Sequence, residues 1–390
     1  MHTIADAMGR WDVDATRNGM WPRRGVLTAA GALAAGAVTG GGRARAAVRG
    51  LTGTAVLSPR QRAGQRVVYS YPGPTPPASL LRAISAGECA GVVFFGENIS
   101  DEAQIASVIG QLRQANAAGP VGAPLLLMTD QEGGEVRRLP GAPVPSEKRI
   151  GQSADPAGQA ANAGTGAGRN LAGVGMNVNL APVLDVFREP GDFIDEYQRS
   201  YSDDPAVVAE CAAAFVTAQQ ATGVAATAKH FPGLGAATRA QDTDTGPVTL
   251  TLSRSELRTV DEAPYAAAIG AQVRLVMVSW AVYPALDPRW PAGLSSTVVQ
   301  GELRGRLGFT GVTVTDALEA GALPGGYDTG RRAVLAADAG MDLLLCSARD
   351  TGQCDAAVTA LAAAYTGGRL DPVAFDAAVQ RVGALRAALS

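Results

Sequence analysis

Histidine is nearly absent from this 390-residue chain, which contains only His2 and His230. That excludes His-rich zinc sites and any mechanism built on a pair of histidines. Cysteine is scarce too: Cys89, Cys211, Cys346 and Cys354 show no CxxC spacing, so a cysteine-built metal knuckle is excluded as well. No cluster of metal ligands survives these counts, and the sequence implies no cofactor. Lysine is equally rare, with Lys148 and Lys229 the only two among 33 basic residues, an arginine bias that reads as coding preference. An excess of positive charge is also lacking. The formal charge is −3, and a nucleic-acid partner, which needs a basic surface, is not expected. Charged residues make up 18% against 47% hydrophobic ones, which excludes disorder and describes a core-forming globular chain. At roughly 100–200 residues per domain the length allows one large domain or two ordinary ones. Glycine and proline, by contrast, are plentiful at 48 and 23 residues, and predict many loops on a packed scaffold.

Long hydrophobic runs are missing. The candidate near the start, Gly25 to Val38, is rich in Gly and Ala, follows Arg23-Arg24, and precedes the small-residue pattern Ala44-Arg45-Ala46. This is the three-part form of an export signal, and its paired arginines suggest a twin-arginine type over residues 1–46. The run is too short and too weakly apolar to span ~30 Å of hydrocarbon. No cysteine precedes Cys89 to carry a lipid, so no membrane anchor is expected once the signal is removed. Positions 1–20 hold nothing such a signal needs, which makes Met8 and Met20 alternative starts. Loss of residues 1–46 takes away six arginines and three aspartates, and the charge falls from −3 to −6. Outside the cell disulfides become permissible, and Cys346 and Cys354 are near enough in sequence to suggest one. Cys211 lies in an Ala-rich helical stretch and reads as core.

What recurs instead is a series of short Val-, Leu- and Ile-rich runs between Ala-rich helical stretches. The runs are 66–71, 90–95, 124–129, 176–184, 223–229, 273–279, 311–315 and 341–346. Continuous apolar runs indicate strands buried on both faces of a parallel sheet. Segments between them, such as 101–118, 205–222 and 326–339, have helical length and period. Strand–helix alternation of this kind predicts an α/β chain forming a single (β/α)8 TIM barrel over residues 47–390. The runner-up, a doubly wound open sheet, lacks a GxGxxG fingerprint after the first strand.

A barrel of this kind places its chemistry at the C-terminal ends of the strands. The polar residues there are Glu97, Asn98, Asp130 to Glu132, Asp185, Lys229, His230, Trp280 and Asp316. Turn chemistry alone favours Asp and Asn at such ends, so the argument rests on the set rather than on any member. Cleavage of a glycosidic bond needs a carboxylate on one face of the sugar and a proton donor near the leaving oxygen. Asp316 is the best candidate for the carboxylate. Asp130, which leads into a Gly-Gly turn, and the reachable cations Arg138 and Arg199 suit bidentate bonding to neighbouring hydroxyls.

Six motifs in order extend this reading: GVVFFGENI (91–99), TDQEGGEVRRL (129–139), NVNLAPVLDV (177–186), RSYSDDP (199–205), KHFPGLG (229–235) and VTVTDALEAGAL (312–323). With them the chain resembles the family 3 glycoside hydrolases, in particular the single-domain β-N-acetylhexosaminidase branch, over about residues 55–388. The resemblance implies a (β/α)8 barrel. It implies that Asp316 is the nucleophile that forms a covalent glycosyl intermediate, with retention. It further implies that Asp130 grips the distal hydroxyls and that Arg199, Lys229 and His230 bind the same sugar, with Arg138 a weaker candidate for that task. Taken alone, Lys229-His230 would more often be an ion-pairing strand end than a ligand contact.

One departure stands out. The resemblance implies an Asp-Ser-His triplet in the loop after Lys-His-Phe-Pro-Gly, whose His is the general acid/base. Here the stretch contains Asp242-Thr243-Asp244, with Asp244 where the His should be. Three readings stay open. Asp244 is the acid, its pKa raised by Asp242; another carboxylate such as Glu319 or Asp195 is; or none is. The expected activity is that of a secreted retaining β-glycosidase on terminal β-N-acetylglucosaminides of cell-wall or chitin-derived oligosaccharides. The alternatives are a β-glucosidase or xylosidase, or a sugar-binding barrel without turnover.

Overall fold

The computed structural model describes residues 57–389, so the predicted export segment at 1–46 lies outside the described residues. Eight parallel strands close into a barrel: β1 (Val67–Tyr69), β2 (Gly91–Val93), β3 (Leu126–Thr129), β4 (Val178–Asn179), β5 (Ala225–Phe231), β6 (Leu275–Val278), β7 (Val312–Ala317) and β8 (Leu343–Leu345). They follow one another around the barrel in chain order, and β1 closes on β8 with Val67 opposite Leu344. The single (β/α)8 barrel expected from the sequence is the architecture found.

The reason the strands read as unbroken apolar runs is visible in their two faces. Val68, Val93, Leu126, Met128, Val178, Leu275, Met277, Val314 and Leu343 fill the barrel interior. Their neighbours Val67, Tyr69, Val92, Leu127, Val276 and Leu344 pack outward under the helices. Both sides are dry, so no polar alternation survives. The fourth run is shorter than its apolar length suggests. Only Val178 and Asn179 pair regularly; beyond them the carbonyls of Ala181 and Pro182 still accept from Thr227 and Lys229, but Pro182 has no N–H to donate, and a lone bridge joins Val183 to Lys229. The fifth run continues further than expected, to Phe231.

Helix starts explain part of the proline content and part of the acid. Asp101, Asp155, Asp204, Asp328, Asp350 and Asp371 each cap a helix by accepting a backbone N–H of its first turn. Three of these caps are followed directly by Pro156, Pro205 and Pro372, which suit the first helical position. The helix Pro156–Val174 is built largely of Gly and Ala and packs closely on Pro205–Gln220, so that a side chain at Gly164 would meet the Phe215 carbonyl. The last helix, Pro372–Ala387, seals the N-terminal end of the barrel. Its Val382 and Leu385 join the interior core, and Arg386 donates to the carbonyl oxygens of Pro124 (2.6 Å) and Ala123 (2.9 Å).

The suggested Cys346–Cys354 disulfide is not formed. All four cysteines are free and buried, and the Cys346 thiol shares a hydrogen bond with Cys354 that, with burial, raises its pKa. Among the described residues no helix is long and apolar enough to cross a membrane.

Because the seal lies at the end of the barrel opposite the strand C-termini, stability and chemistry should separate there. Leu385→Ala should cost about 2–4 kcal/mol by leaving a cavity under the barrel. A lowered denaturant midpoint with unchanged KM is the expected result.

Candidate active site

The strand C-termini open into a cavity of about 640 Å³. Asp130, Arg138, Arg199, Lys229, His230, Asp244 and Asp316 all line it, together with Glu319 and Arg349. Residues from well-separated parts of the sequence are thus brought to one cavity. Asp242 is not among those that line it: its Oδ1 accepts the backbone N–H of Asp244 at 2.8 Å, an Asx turn that shapes the loop. Asp195 is not part of the cavity, because its carboxylate is buried against Lys148 Nζ at 2.6 Å.

At the floor lies a knot of buried charge whose pairing the strand-end pattern does not reveal, although that pattern includes Glu132. Glu132, two residues beyond Asp130, is 2% exposed and accepts from Arg199 through Nε and a terminal nitrogen, both at 2.9 Å. Lys229 Nζ lies 2.7 Å from both Asp130 and Glu132. Burial opposes the charge on Glu132, but Arg199 and Lys229 outweigh it and hold its carboxyl well below the ordinary value. Burial likewise opposes the charge of Lys229, and Asp130 and Glu132 keep its pKa raised. The two cations are therefore charged and fixed in place, with Asp130 the paired carboxylate that faces the cavity. Beneath them Glu147 accepts from the Val183 N–H at 3.1 Å, and burial together with Glu132 pushes its carboxyl well above the ordinary value. The two-residue spacing of Asp130 and Glu132 was the available signal for the first carboxylate. Glu147 has no local signal.

His230 is oriented by Asp185, the fully buried residue at the end of the fourth run. Asp185 Oδ2 lies 2.7 Å from Nδ1 of His230, while Oδ1 accepts the backbone N–H groups of His230 (3.2 Å) and Leu234 (2.7 Å). With Nδ1 committed, Nε2 is the ring nitrogen left for a ligand. Trp280 and Asn98, which the strand-end pattern had grouped with the site, are buried supports instead. Trp280 Nε1 donates to the carbonyl oxygen of Ala317 at 2.8 Å, and Asn98 donates to those of Tyr71 and Gly73. Glu97 pairs with Arg349 at 2.6 Å on the rim.

Asp316 stands at the end of β7, where its Oδ1 accepts the N–H of Ala317 at 2.8 Å. Asp244 reaches the same cavity from the loop after β5. Although the residue is exposed by area, crowding by the cavity walls, then the charges of Asp316 and Asp242, push its carboxyl up to about 6. Glu319 is differently engaged: its Oε2 accepts from the Ser347 N–H (3.1 Å) and from Gln353 (3.0 Å). The arrangement thus offers a carboxylate, a carboxylic acid that keeps its proton toward neutrality, and a floor of fixed hydrogen-bonding charges.

The glycosyl hydrolase family 3 N terminal domain matches residues 70–385. An uncharacterized secreted glycosyl hydrolase of Arthroderma benhamiae is 46% identical over 331 residues, covering 84% of this chain and 93% of its own length. Among solved structures, a family 3 β-N-acetylglucosaminidase of Paenibacillus sp. superposes with a TM-score of 0.80 at 37% identity, covering 85% of this chain. The chain spans 63% of the length of that enzyme. A β-N-acetylhexosaminidase of Beutenbergia cavernae gives a TM-score of 0.76 at 36% identity, over 85% of this chain and 98% of its own.

The charge knot makes a measurable demand. Glu132→Gln should destabilise the protein by about 3–5 kcal/mol at neutral pH, since Arg199 and Lys229 would be left buried with too little negative charge. The folded-state pKa of Glu132 is depressed, so its contribution is fully present above its ordinary value of 4.5 and is lost progressively as pH falls from there toward about 2. The gap between wild type and variant in denaturant melts should therefore narrow toward pH 3–4. A gap that stays constant with pH would rule out charge as its cause.

Proposed function

The chain belongs to glycosyl hydrolase family 3 and is a glycoside hydrolase, and from that premise we propose that it is a secreted, retaining β-N-acetylhexosaminidase. Its substrates on this reading are terminal β-N-acetylglucosaminides of cell-wall or chitin-derived oligosaccharides. The observation that carries the proposal is the pairing of Asp316 with a raised-pKa Asp244 in one cavity, above the Asp130–Lys229–Glu132–Arg199 floor. The acetamido preference is supported by the names of the similar solved enzymes. Export is supported by the Arg23-Arg24 leader pattern and by the secreted relative.

In the first step the Asp316 carboxylate attacks the anomeric carbon as the bond to the leaving oxygen breaks. Asp244 gives its proton to that oxygen. In the second step Asp244, now a carboxylate, takes a proton from water, whose oxygen attacks the same carbon and releases Asp316. Two inversions give net retention. Asp130, Lys229, Arg199 and His230 Nε2 hold the sugar hydroxyls throughout. A carboxylic acid can fill the role expected of a histidine because its pKa has been moved toward the working pH by confinement and like charge.

The decisive measurement is hydrolysis of an aryl β-N-acetylglucosaminide and of the unactivated disaccharide by the purified protein. Asp316→Asn should abolish turnover of both. Asp244→Asn should lower kcat/KM for the disaccharide by about 10²–10⁴-fold and spare the activated substrate. In the wild type, kcat/KM for the disaccharide should fall as pH rises through about 6, where Asp244 loses its proton. Preference for the plain glucoside would reassign the substrate, and binding without turnover of either glycoside would sink the catalytic reading.

A further inference from the structure

An acid carried on a loop is useful only if the loop keeps it beside the nucleophile, and here a second loop does the keeping. The turn Asp242–Gly246 closes on itself, with the N–H groups of Thr245 (3.2 Å) and Gly246 (3.1 Å) donating to the Asp242 carbonyl oxygen. The turn is then bonded to the segment that follows Asp316. The Gly321 N–H donates to the carbonyl oxygen of Asp244 at 2.9 Å, and the Ala322 N–H donates to that of Thr243 at 3.0 Å. Thr243 is 3% exposed beneath this contact. Nucleophile and acid are therefore tied through two adjacent backbone hydrogen bonds, five and six residues beyond Asp316.

The approach is possible only because residue 321 has no side chain. A Cβ there would lie 2.6 Å from the carbonyl carbon and oxygen of Thr245 and 2.9 Å from the oxygen of Asp244. All three are backbone atoms, which cannot swing aside as a side-chain tip can. The φ of Gly321 lies outside the left-handed region, so alanine is not disfavoured by the local conformation itself. What alanine cannot accommodate is the neighbouring turn.

We propose that Gly321 is a positioning residue for the general acid: its bare α-carbon and N–H dock the Asp244 turn against the Asp316 segment and set the distance over which the proton is delivered. This rests on the reading of Asp244 as the acid. Gly321 touches no substrate, and its effect is confined to steps that need the proton. Cleavage of a bond to a poor leaving oxygen needs it. Expulsion of an activated aryl oxide does not.

The test compares Gly321→Ala, Asp244→Asn, the double variant and Gly325→Ala, which lies on the same loop with open space around its α-carbon. Each is assayed on the unactivated disaccharide and on the 2,4-dinitrophenyl glycoside. Gly321→Ala is expected to lose about 10²-fold in kcat/KM on the disaccharide. Its kcat/KM on the dinitrophenyl glycoside should stay within about threefold of wild type, which also shows that the variant folds. Azide should raise its kcat on the dinitrophenyl glycoside, because it displaces Asp316 from the anomeric carbon without a general base and leaves as the glycosyl azide. Added to Asp244→Asn, Gly321→Ala should cost nothing further, as expected of two residues acting through one group. Asp242→Ala, which frees the same turn from its other side, should reproduce the substrate-selective loss.

Equal loss on both substrates, loss that adds to that of Asp244→Asn, or behaviour matching Gly325→Ala would each overturn the proposal. If Asp244→Asn cleaves the disaccharide as wild type does, the acid assignment itself fails, and the docking role falls with it. If Asp244→Asn is impaired while Gly321→Ala is not, the acid assignment stands and only the docking role is refuted.

Discussion

Much of this site follows from one constraint, that charges taken out of water must be paired. Glu132 and Lys229 are each almost wholly buried, and neither could be ionised there alone. Together with Arg199 and Asp130 they form a closed set in which each charge is the other's solvent. The consequence is rigidity. A lysine on a flexible four-carbon stem becomes a fixed donor, and Asp130 is the carboxylate of the set that opens to the cavity. The same logic fixes His230 through Asp185, whose two oxygens take three hydrogen bonds from one short stretch of chain.

This constraint also separates what the sequence made legible from what it did not. The barrel could be read because its strands are dry on both faces, and the strand ends could be read because polarity returns there abruptly, as at Asp130 after Leu126–Thr129. Those signals are local. The same reasoning places Glu132 at the strand end, and a two-residue step keeps it on Asp130's side of an extended chain, but its pairing with Arg199 and Lys229 is not local. Glu147 was not, because its meeting with Val183 and Glu132 is made by tertiary folding alone. The short fourth strand was misjudged for a different reason. Apolar content persists through Ala181 and Pro182, and their carbonyls still accept from Thr227 and Lys229, but Pro182 has no N–H to donate and the regular ladder ends, which hydropathy does not register.

On the proposed reading, Asp244 takes the role for which the family resemblance implies a histidine, and it does so through its surroundings. An imidazole brings a pKa near neutrality with it; a carboxylic acid must have one imposed. Crowding and two nearby aspartates supply that shift at Asp244, and they do so only while the loop stays where it is. On that reading, chemical identity is exchanged for dependence on position. The loop's hydrogen bonds to the segment after Asp316 are thus as much a part of its acidity as its own carboxyl group.

The helix at the far end of the barrel has a consequence in time rather than in space. The first strand completes its pairing only with Leu344 and Leu345, and Arg386 ties the end of that helix to the carbonyl oxygens of Ala123 and Pro124. Sequence separations of 262 and 263 residues put these among the longest-range contacts of the chain. A chain emerging from its N-terminus therefore carries an open sheet, with Val67 and its neighbours unpaired on one edge, until Leu343–Leu345 have been made. Closure is a late event, and until then the barrel interior is protected only by whatever else holds it.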